Sequence, residues 1–350
     1  MNHSPSKYAC PQDNRPVERE RAGFRVVGTD TVYPDENGVP NFLRFPPVEN
    51  ADDIERLDRL NALADGGNWL SALQATHRDS QFVRYVTAVD RASFLKLLPI
   101  RSDSEILEIG PGLGQFTPLM ARQARSVHAL EVVPGQARFV MTRCRQEGLQ
   151  NVEVAMGGDD CRLPYKDNSF DLVVLNLVFE WCASRLDGEL HETAQTRLLS
   201  EMARVLRPGG TLYLATKNRY ALRLLLGGAD EHQFNLRFGS ALPRVIAAWR
   251  LRQNGHGRAM GMLHSHNALK RMLVRAGFSR NESFWAAPEM RYPTHYIATD
   301  ARAVRAARAS PDIVLSEGRI KKRLMKLLPA AWVRHVTPGL AFVAVKDAAA

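Results

Sequence analysis

The sequence predicts an α/β fold built on a doubly wound, mostly parallel sheet. Two observations predict it: five short β-rich runs alternate with amphipathic helical stretches, and the first run enters a glycine-rich turn before its helix. The runs occupy 105–110, 127–131, 152–156, 170–176 and 211–216. Buried parallel strands read as near-continuous apolar stretches, and Phe170-Asp171-Leu172-Val173-Val174-Leu175 is such a stretch. The intervening helices are predicted at 134–146 and 192–206. The second carries Leu198, Leu199, Met202, Val205 and Leu206 on one face and is stopped by Pro208-Gly209-Gly210, a turn that delivers the fifth strand.

The flanks follow from the same signals. Residues 1–50 are rich in Pro, Gly, Asn and Asp, and Asn37-Gly38 between apolar neighbours predicts a hairpin turn in a small N-terminal flap. From 51 to 100 apolar residues recur at helical spacing, including Phe82, Tyr85, Val86 and Val89, which predicts helices covering one edge of the sheet. The core spans 101–217. A mixed stretch at 218–263 interrupts the alternation and is read as a helical insertion beside the strand ends, where open α/β sheets bind ligands. Residues 264–350 complete the sheet with a helix at 266–276, a basic amphipathic helix at 319–335 interrupted by Pro329, and a last strand at 341–345.

Composition excludes whole classes. With 350 residues, 45% hydrophobic and 24% charged, the chain has the material for a sizeable core and is not a disordered segment. No apolar run approaches the roughly 18 residues of a membrane span, and the start lacks the apolar stretch of a signal peptide, so a cytoplasmic location is expected. Cys10, Cys144, Cys161 and Cys182 are widely spaced without a C-x-x-C pair, which suits buried thiols in a reducing compartment. Residues 1–200 carry 22 Lys/Arg against 28 Asp/Glu, whereas 201–350 carry 25 against 9. The basic part could meet RNA, an anionic membrane surface or a phosphorylated small molecule.

The strongest chemical signal is Glu108-Ile109-Gly110-Pro111-Gly112-Leu113-Gly114 at a strand-to-helix junction. Missing side chains let backbone approach a ligand, and a helix start offers unpaired N–H donors. Gln115 stands where the dinucleotide fingerprint wants its third glycine. Glu131 ends the second strand, 21 residues after Gly110, where a carboxylate can accept hydrogen bonds from both hydroxyls of a ribose.

With these and the ordered stretches 158–165, 168–174 and 203–210, residues 80–217 resemble the class I S-adenosylmethionine-dependent methyltransferases, and 273–278 resemble their next helix end. The resemblance implies a Rossmann-like, seven-stranded sheet and S-adenosyl-L-methionine as cofactor. It implies Glu108 as the acidic position of the glycine motif and Gly110, Pro111, Gly112 and Gly114 as the cradle for the methionine part. It further implies Glu131 on the ribose, Val132 against the adenine, Asp159 toward the adenine amino group and the backbone of Asp160 toward its ring nitrogen. Asn176 and Leu177 would line the methyl donor, with Glu180 and Trp181 bordering the acceptor. The N-terminal segment resembles a zinc-ribbon-like module, but Asp13 stands where a partner for Cys10 is needed, and no metal site is expected.

A general base is needed only for a hydroxyl or protonated amine acceptor. Glu180, His232 and His264 are the candidates, with His266 beside them. The expected function is methyl transfer to a small-molecule acceptor: a metabolite, sugar or glycolipid precursor, whose anionic group would explain the basic half. The rivals are a tRNA or rRNA methyltransferase, a nicotinamide-dependent dehydrogenase and a non-catalytic S-adenosylmethionine-binding protein. The tail lacks the interleaved aromatics of a nucleic-acid face, which ranks RNA second.

Overall fold

A computed structural model describes residues 6–46, 49–182 and 190–348. The N-terminal flap is a small antiparallel sheet of β1 (Val17–Glu20), β2 (Gly23–Val26), β3 (Val32–Glu36) and β4 (Val39–Pro40). Asn37 and Gly38 join β3 to β4 with φ of 56° and 86°, the double positive φ that a two-residue hairpin loop requires. The flap docks through Phe42, whose N–H bonds the Met156 carbonyl at 2.8 Å, and through Tyr8, which packs on Phe24 and Tyr165. That contact covers an edge that would otherwise present unpaired backbone.

Three helices follow: α1 (Ala51–Asp65), α2 (Trp69–Thr76) and α3 (Ser80–Thr87). The Asn50 side chain caps α1 by accepting from the Asp53 N–H. Leu57, Leu60, Leu73 and Val86 then bury against Leu113 and Phe139. Residues 89–97 wind as 3₁₀ turns and push Phe94 flat against Tyr213, with centroids 4.4 Å apart.

The central sheet contains β5 (Glu105–Ile109), β6 (Ser126–Glu131), β7 (Val152–Met156), β8 (Phe170–Asn176), β9 (Leu206–Lys217), β12 (Arg280–Ala287), β13 (His295–Ala298) and β14 (Gly339–Val345). Its order is β13-β12-β14-β9-β8-β5-β6-β7, with β5 to β9 parallel and β14 antiparallel to both neighbours. The chain runs from β5 outward to β7, then returns to β8 on the other side of β5. This reversal opens a crevice at the strands' carboxyl ends. Helices α4 (Thr117–Ala121), α5 (Pro134–Gln146) and α6 (His191–Val205) connect the parallel strands.

Two expectations need correction. The sheet has eight strands, not seven, because residues 287–295 turn β12 back as the antiparallel β13. The insertion at 218–263 is mixed rather than helical: α7 (Leu222–Leu225) and α8 (Arg244–Gln253) flank a short ladder of β10 (Ala229–Asp230) and β11 (Leu236–Arg237). A backbone bridge between Asn218 and His264 pins its two ends together at the sheet. Beyond it come α9 (His266–Arg275), α10 (Ala301–Ala309) and α11 (Arg319–Leu327). The last two pack Val304, Ala307 and Met325 onto Trp285 of β12.

Candidate functional site

The turn after β5 is held from two sides. The Gly110 N–H bonds the Leu130 carbonyl at 2.9 Å, and the Gly112 N–H donates to Glu131 Oε2 at 2.9 Å. The other carboxylate oxygen accepts from the Val132 and Val133 N–H groups at 2.8 and 3.1 Å. Glu131 therefore ties the glycine turn to the end of β6. Gly110 has φ of 70°, and a Cβ there would lie 2.5 Å from Val178 Cγ2, so glycine is required by both conformation and space. Pro111 closes the turn by accepting from the Gly114 N–H at 3.0 Å.

Glu108 lies beneath the turn, 2% exposed, and accepts from Thr117 Oγ1 at 2.5 Å. Burial pushes its carboxyl up to about 7; the nearby Glu131 charge adds to the rise, while the Thr117 bond opposes it. Gln115 Oε1 is buried with no hydrogen-bond partner among the described residues and lies 3.2 Å from where a Cβ on Gly112 would stand. A buried carbonyl oxygen beside a turn of positive-φ glycines fits a ligand that brings its own donors. Two buried carboxyls behind the turn, Glu108 and Glu131, fit one carrying hydroxyls and positive charge. S-adenosylmethionine has all three features.

Asp159 and Asp160, after β7, carry a load the sequence did not announce. The Asp159 carboxylate accepts from the Arg44 N–H at 3.2 and 3.0 Å and from the Phe45 N–H at 2.8 Å, so it anchors the flap. Two donors thus engage this carboxylate, the Arg44 N–H shared between both oxygens, and acceptor positions remain for a further donor. Asp160 Oδ2 accepts from Gln12 Nε2 at 3.1 Å and faces Arg44 at 3.6 Å. Asn176 pairs with Ala215 across the sheet, and Leu177 adopts φ of 60°, its N–H bonded to the Ala215 carbonyl at 2.7 Å. A non-glycine residue in this region costs of order 1 kcal/mol, and here it lies between the cofactor crevice and the cavity beyond.

That cavity is an open cleft of about 620 Å³ whose walls include Tyr85, Leu177, Glu180, Trp181, Lys217 and Arg291. Glu180 is fully buried; Thr216 Oγ1 donates to its Oε2 at 2.7 Å, and its Oε1 has no hydrogen-bond partner among the described residues. Glu231, from the insertion, pairs with Lys217 at the end of β9 and with Arg291 at 3.4 Å. Burial lowers the Lys217 ammonium to about 8, with Glu180 opposing and Arg291 assisting.

Behind this ionic group lies a second chamber of about 290 Å³ that shares Lys217, Glu231 and Arg291 with the cleft and includes His232 in its wall. The Trp181 ring covers His232 at 4.4 Å, and His232 Nδ1 lies 3.1 Å from Asp230 Oδ1. Burial opposes ionisation of Asp230, but bonds from His232 and Ser240 outweigh it and hold its carboxyl below the usual range.

His264 does not reach the cleft. Its Nε2 lies 2.6 Å from Gln195 Oε1, whose amide nitrogen donates to the Phe179 and Met262 carbonyls, and burial lowers the imidazole to about 3. It is a neutral brace beneath the Phe179–Trp181 turn. His266 is likewise structural, 2.9 Å from Ser283 Oγ and lowered to about 4, mainly by burial. Sequence reasoning missed Lys217, Asp230, Glu231 and Arg291. Lys217 was within reach by the strand-end logic that singled out Glu131; Arg291 carries no local signal.

Residues 107–214 match the family described as "Methyltransferase domain". The chain is 34% identical over 126 residues to the biotin biosynthesis bifunctional protein BioHC of Cellvibrio japonicus, covering 36% of this chain and 22% of that protein. It is 34% identical over 115 residues to a malonyl-(acyl-carrier protein) O-methyltransferase of Methylococcus capsulatus, covering 32% and 37%. Similarity to the ubiquinone/menaquinone biosynthesis C-methyltransferase UbiE of Hydrogenovibrio crunogenus is 26% over 192 residues, covering 54% and 70%. The matches thus span well under half the length of the first two relatives. Residues 107–214 are a methyltransferase domain of the class I, S-adenosylmethionine-dependent family.

Proposed function

We propose that the protein transfers a methyl group from S-adenosylmethionine to a small-molecule acceptor that carries an anionic group, such as an acidic metabolite, a sugar phosphate or a glycolipid precursor. One observation carries the reading: the cleft begins at Leu177, beside the cofactor crevice, and runs to two cations, Lys217 and Arg291. Bound S-adenosylmethionine supplies a methyl on a positively charged sulfur that departs as a neutral thioether. The protein's task is then alignment, and fixing two reactants in line can supply about 7–11 kcal/mol of the barrier.

The residues divide the work. Glu131 and the Gly110–Gly114 turn orient the donor, and Glu108 and Gln115 complete its seat. Lys217 and Arg291 hold the acceptor's anionic end, exchanging Glu231 for it. Glu180 takes the proton when the acceptor is a hydroxyl or a protonated amine, because the residue borders the cleft and one buried oxygen of its carboxylate has no partner among the described residues. Asp230 and His232 act as a positioning pair beneath Trp181.

The test is transfer of labelled methyl from S-adenosylmethionine into fractionated extract of the source cells, followed by nuclease treatment. Label in nuclease-resistant small molecules or lipid is expected. Nuclease-sensitive label would overturn the acceptor class in favour of RNA, and absence of transfer in a protein that binds S-adenosylhomocysteine would leave a binding protein.

A further inference from the structure

The C-terminal half holds a surface that the acceptor cleft does not use. Helix α11 reads Arg319-Ile320-Lys321-Lys322-Arg323-Leu324-Met325-Lys326-Leu327, five cations and no acid. Met325 faces inward at 1% exposure, whereas Ile320 and Leu327 are 70% and 71% exposed. Seven residues apart, these two fall on one stripe of the helix.

Across a shallow groove of about 770 Å³, Ile320 faces a segment that contributes Leu226, and the groove's charged walls are Arg223, Arg237, Arg319 and Lys321, with no acid among them. Leu226 is 49% exposed, and Trp332, one turn past α11, is 64% exposed. Single exposed apolar residues are ordinary. An apolar stripe rimmed only by cations, on a helix with a strong polar face, is the pattern of an element lying in a lipid interface.

We propose that α11 and the facing 223–237 segment seat the protein on an anionic lipid bilayer. Charge complementarity favours an anionic surface, and the exposed Ile320, Leu327, Leu226 and Trp332 favour lipid over a phosphate backbone, against which they would stay in water. Among the described residues no helix is long and apolar enough to cross a membrane, so the contact is peripheral. The placement also has a use. Arg223 and Lys321 line both the groove and the 290 Å³ chamber, and that chamber shares Lys217, Glu231 and Arg291 with the cleft. An amphiphile with an anionic head could therefore pass from the bilayer through the chamber to the acceptor site. This last step rests on the proposed methyl transfer; the docking does not.

The experiment is co-sedimentation of the full chain with vesicles of phosphatidylcholine alone or mixed two to one with phosphatidylglycerol. Binding is expected only to the mixed vesicles. Lys322→Glu with Arg323→Glu should weaken it at least about tenfold, since each cation near an anionic surface contributes about fivefold. Ile320→Asp with Leu327→Asp should weaken it comparably. Neither pair lines the chamber, so both variants should keep the wild-type affinity for S-adenosylhomocysteine. That readout separates failed docking from failed methyl transfer. Equal binding by wild type and variants, failure of the wild type to sediment, or retention on transfer RNA in place of vesicles would each overturn the proposal.

Discussion

Removing the Glu131 carboxylate tests the cofactor side most directly. In Glu131→Ala the Gly112, Val132 and Val133 N–H groups lose a common acceptor at 2.8 to 3.1 Å. Hydrogen bonds to a charged group contribute roughly 1.5–3 kcal/mol each. Two of the three are local to the β6 end and can be replaced by water, but the Gly112 bond spans the two loops and sets where the turn sits. Losing that bond and even one bond to a ribose hydroxyl places the expected cost at about 3–6 kcal/mol, a loss of 10² or more in affinity. Partial replacement by water sets the floor at tenfold. Glu131→Gln should fall between, because one amide oxygen can keep Val132 and Val133 while its NH2 then confronts the Gly112 N–H. Calorimetric titration with S-adenosylhomocysteine, beside a thermal melt to show folding, measures both. Full affinity in a folded Glu131→Ala protein would refute the ribose role. A lowered melting temperature with unchanged affinity would leave Glu131 as a brace and nothing more.

Three further outcomes follow from the same geometry. Glu108, at about 7 when folded and 4.5 ordinarily, stabilises the fold while protonated; that contribution is complete below pH 4.5 and is lost as pH rises through 7, up to about 3 kcal/mol. Glu108→Gln should flatten the stability curve of the cofactor-free protein between pH 5 and 8 in denaturant titrations, and parallel curves would count against the buried acid. Gly110→Ala should cost about 2–4 kcal/mol and abolish cofactor binding, through its positive φ and the clash with Val178, whereas Gly148→Ala, with φ of 73° and open space, should cost only about 1 kcal/mol. Equal melting temperatures for the two variants would refute the steric argument. Lys217 loses its charge as pH passes about 8, so KM for an anionic acceptor should rise above that pH with kcat little changed, and Lys217→Gln should remove the inflection; a profile identical to wild type would exclude Lys217 from acceptor binding.

The parts of the fold legible in the sequence are those whose pattern is local. A buried parallel strand is apolar over most of its length, which marked β5 to β9, and Asn37-Gly38 names its own turn. Strand β12 begins Arg280-Asn281-Glu282-Ser283, polar residues that are mostly exposed or half-buried, and only its last three are fully buried. Its partner β13 is four residues long, too short for alternation to register. The eighth strand was therefore invisible. The insertion failed as a helix for a related reason: Phe234, Asn235 and Phe238 take positive φ, which no periodicity announces.

The same division runs through the site, and it has a functional consequence. The proposed cofactor wall lies within 108–177, where the glycine turn, Glu131 and the end of β8 are ordered along the chain and brought together by the sheet's reversal. The proposed acceptor wall draws Tyr85 from α3, Lys217 from β9, Glu231 from the insertion and Arg291 from the turn before β13. No local pattern can join residues up to 206 positions apart. Sequence alone could not separate His232 from His264 either: one lies inside the insertion and the other just past its end, and only packing sends one beneath Trp181 and the other to Gln195 on α6. A wall assembled from separate segments can change its acceptor without disturbing the strands that hold the donor. Acceptor choice in this chain should therefore respond to substitutions at 217, 231 and 291 while affinity for S-adenosylhomocysteine stays fixed. A joint loss of both would mean that the two walls form one cooperative unit.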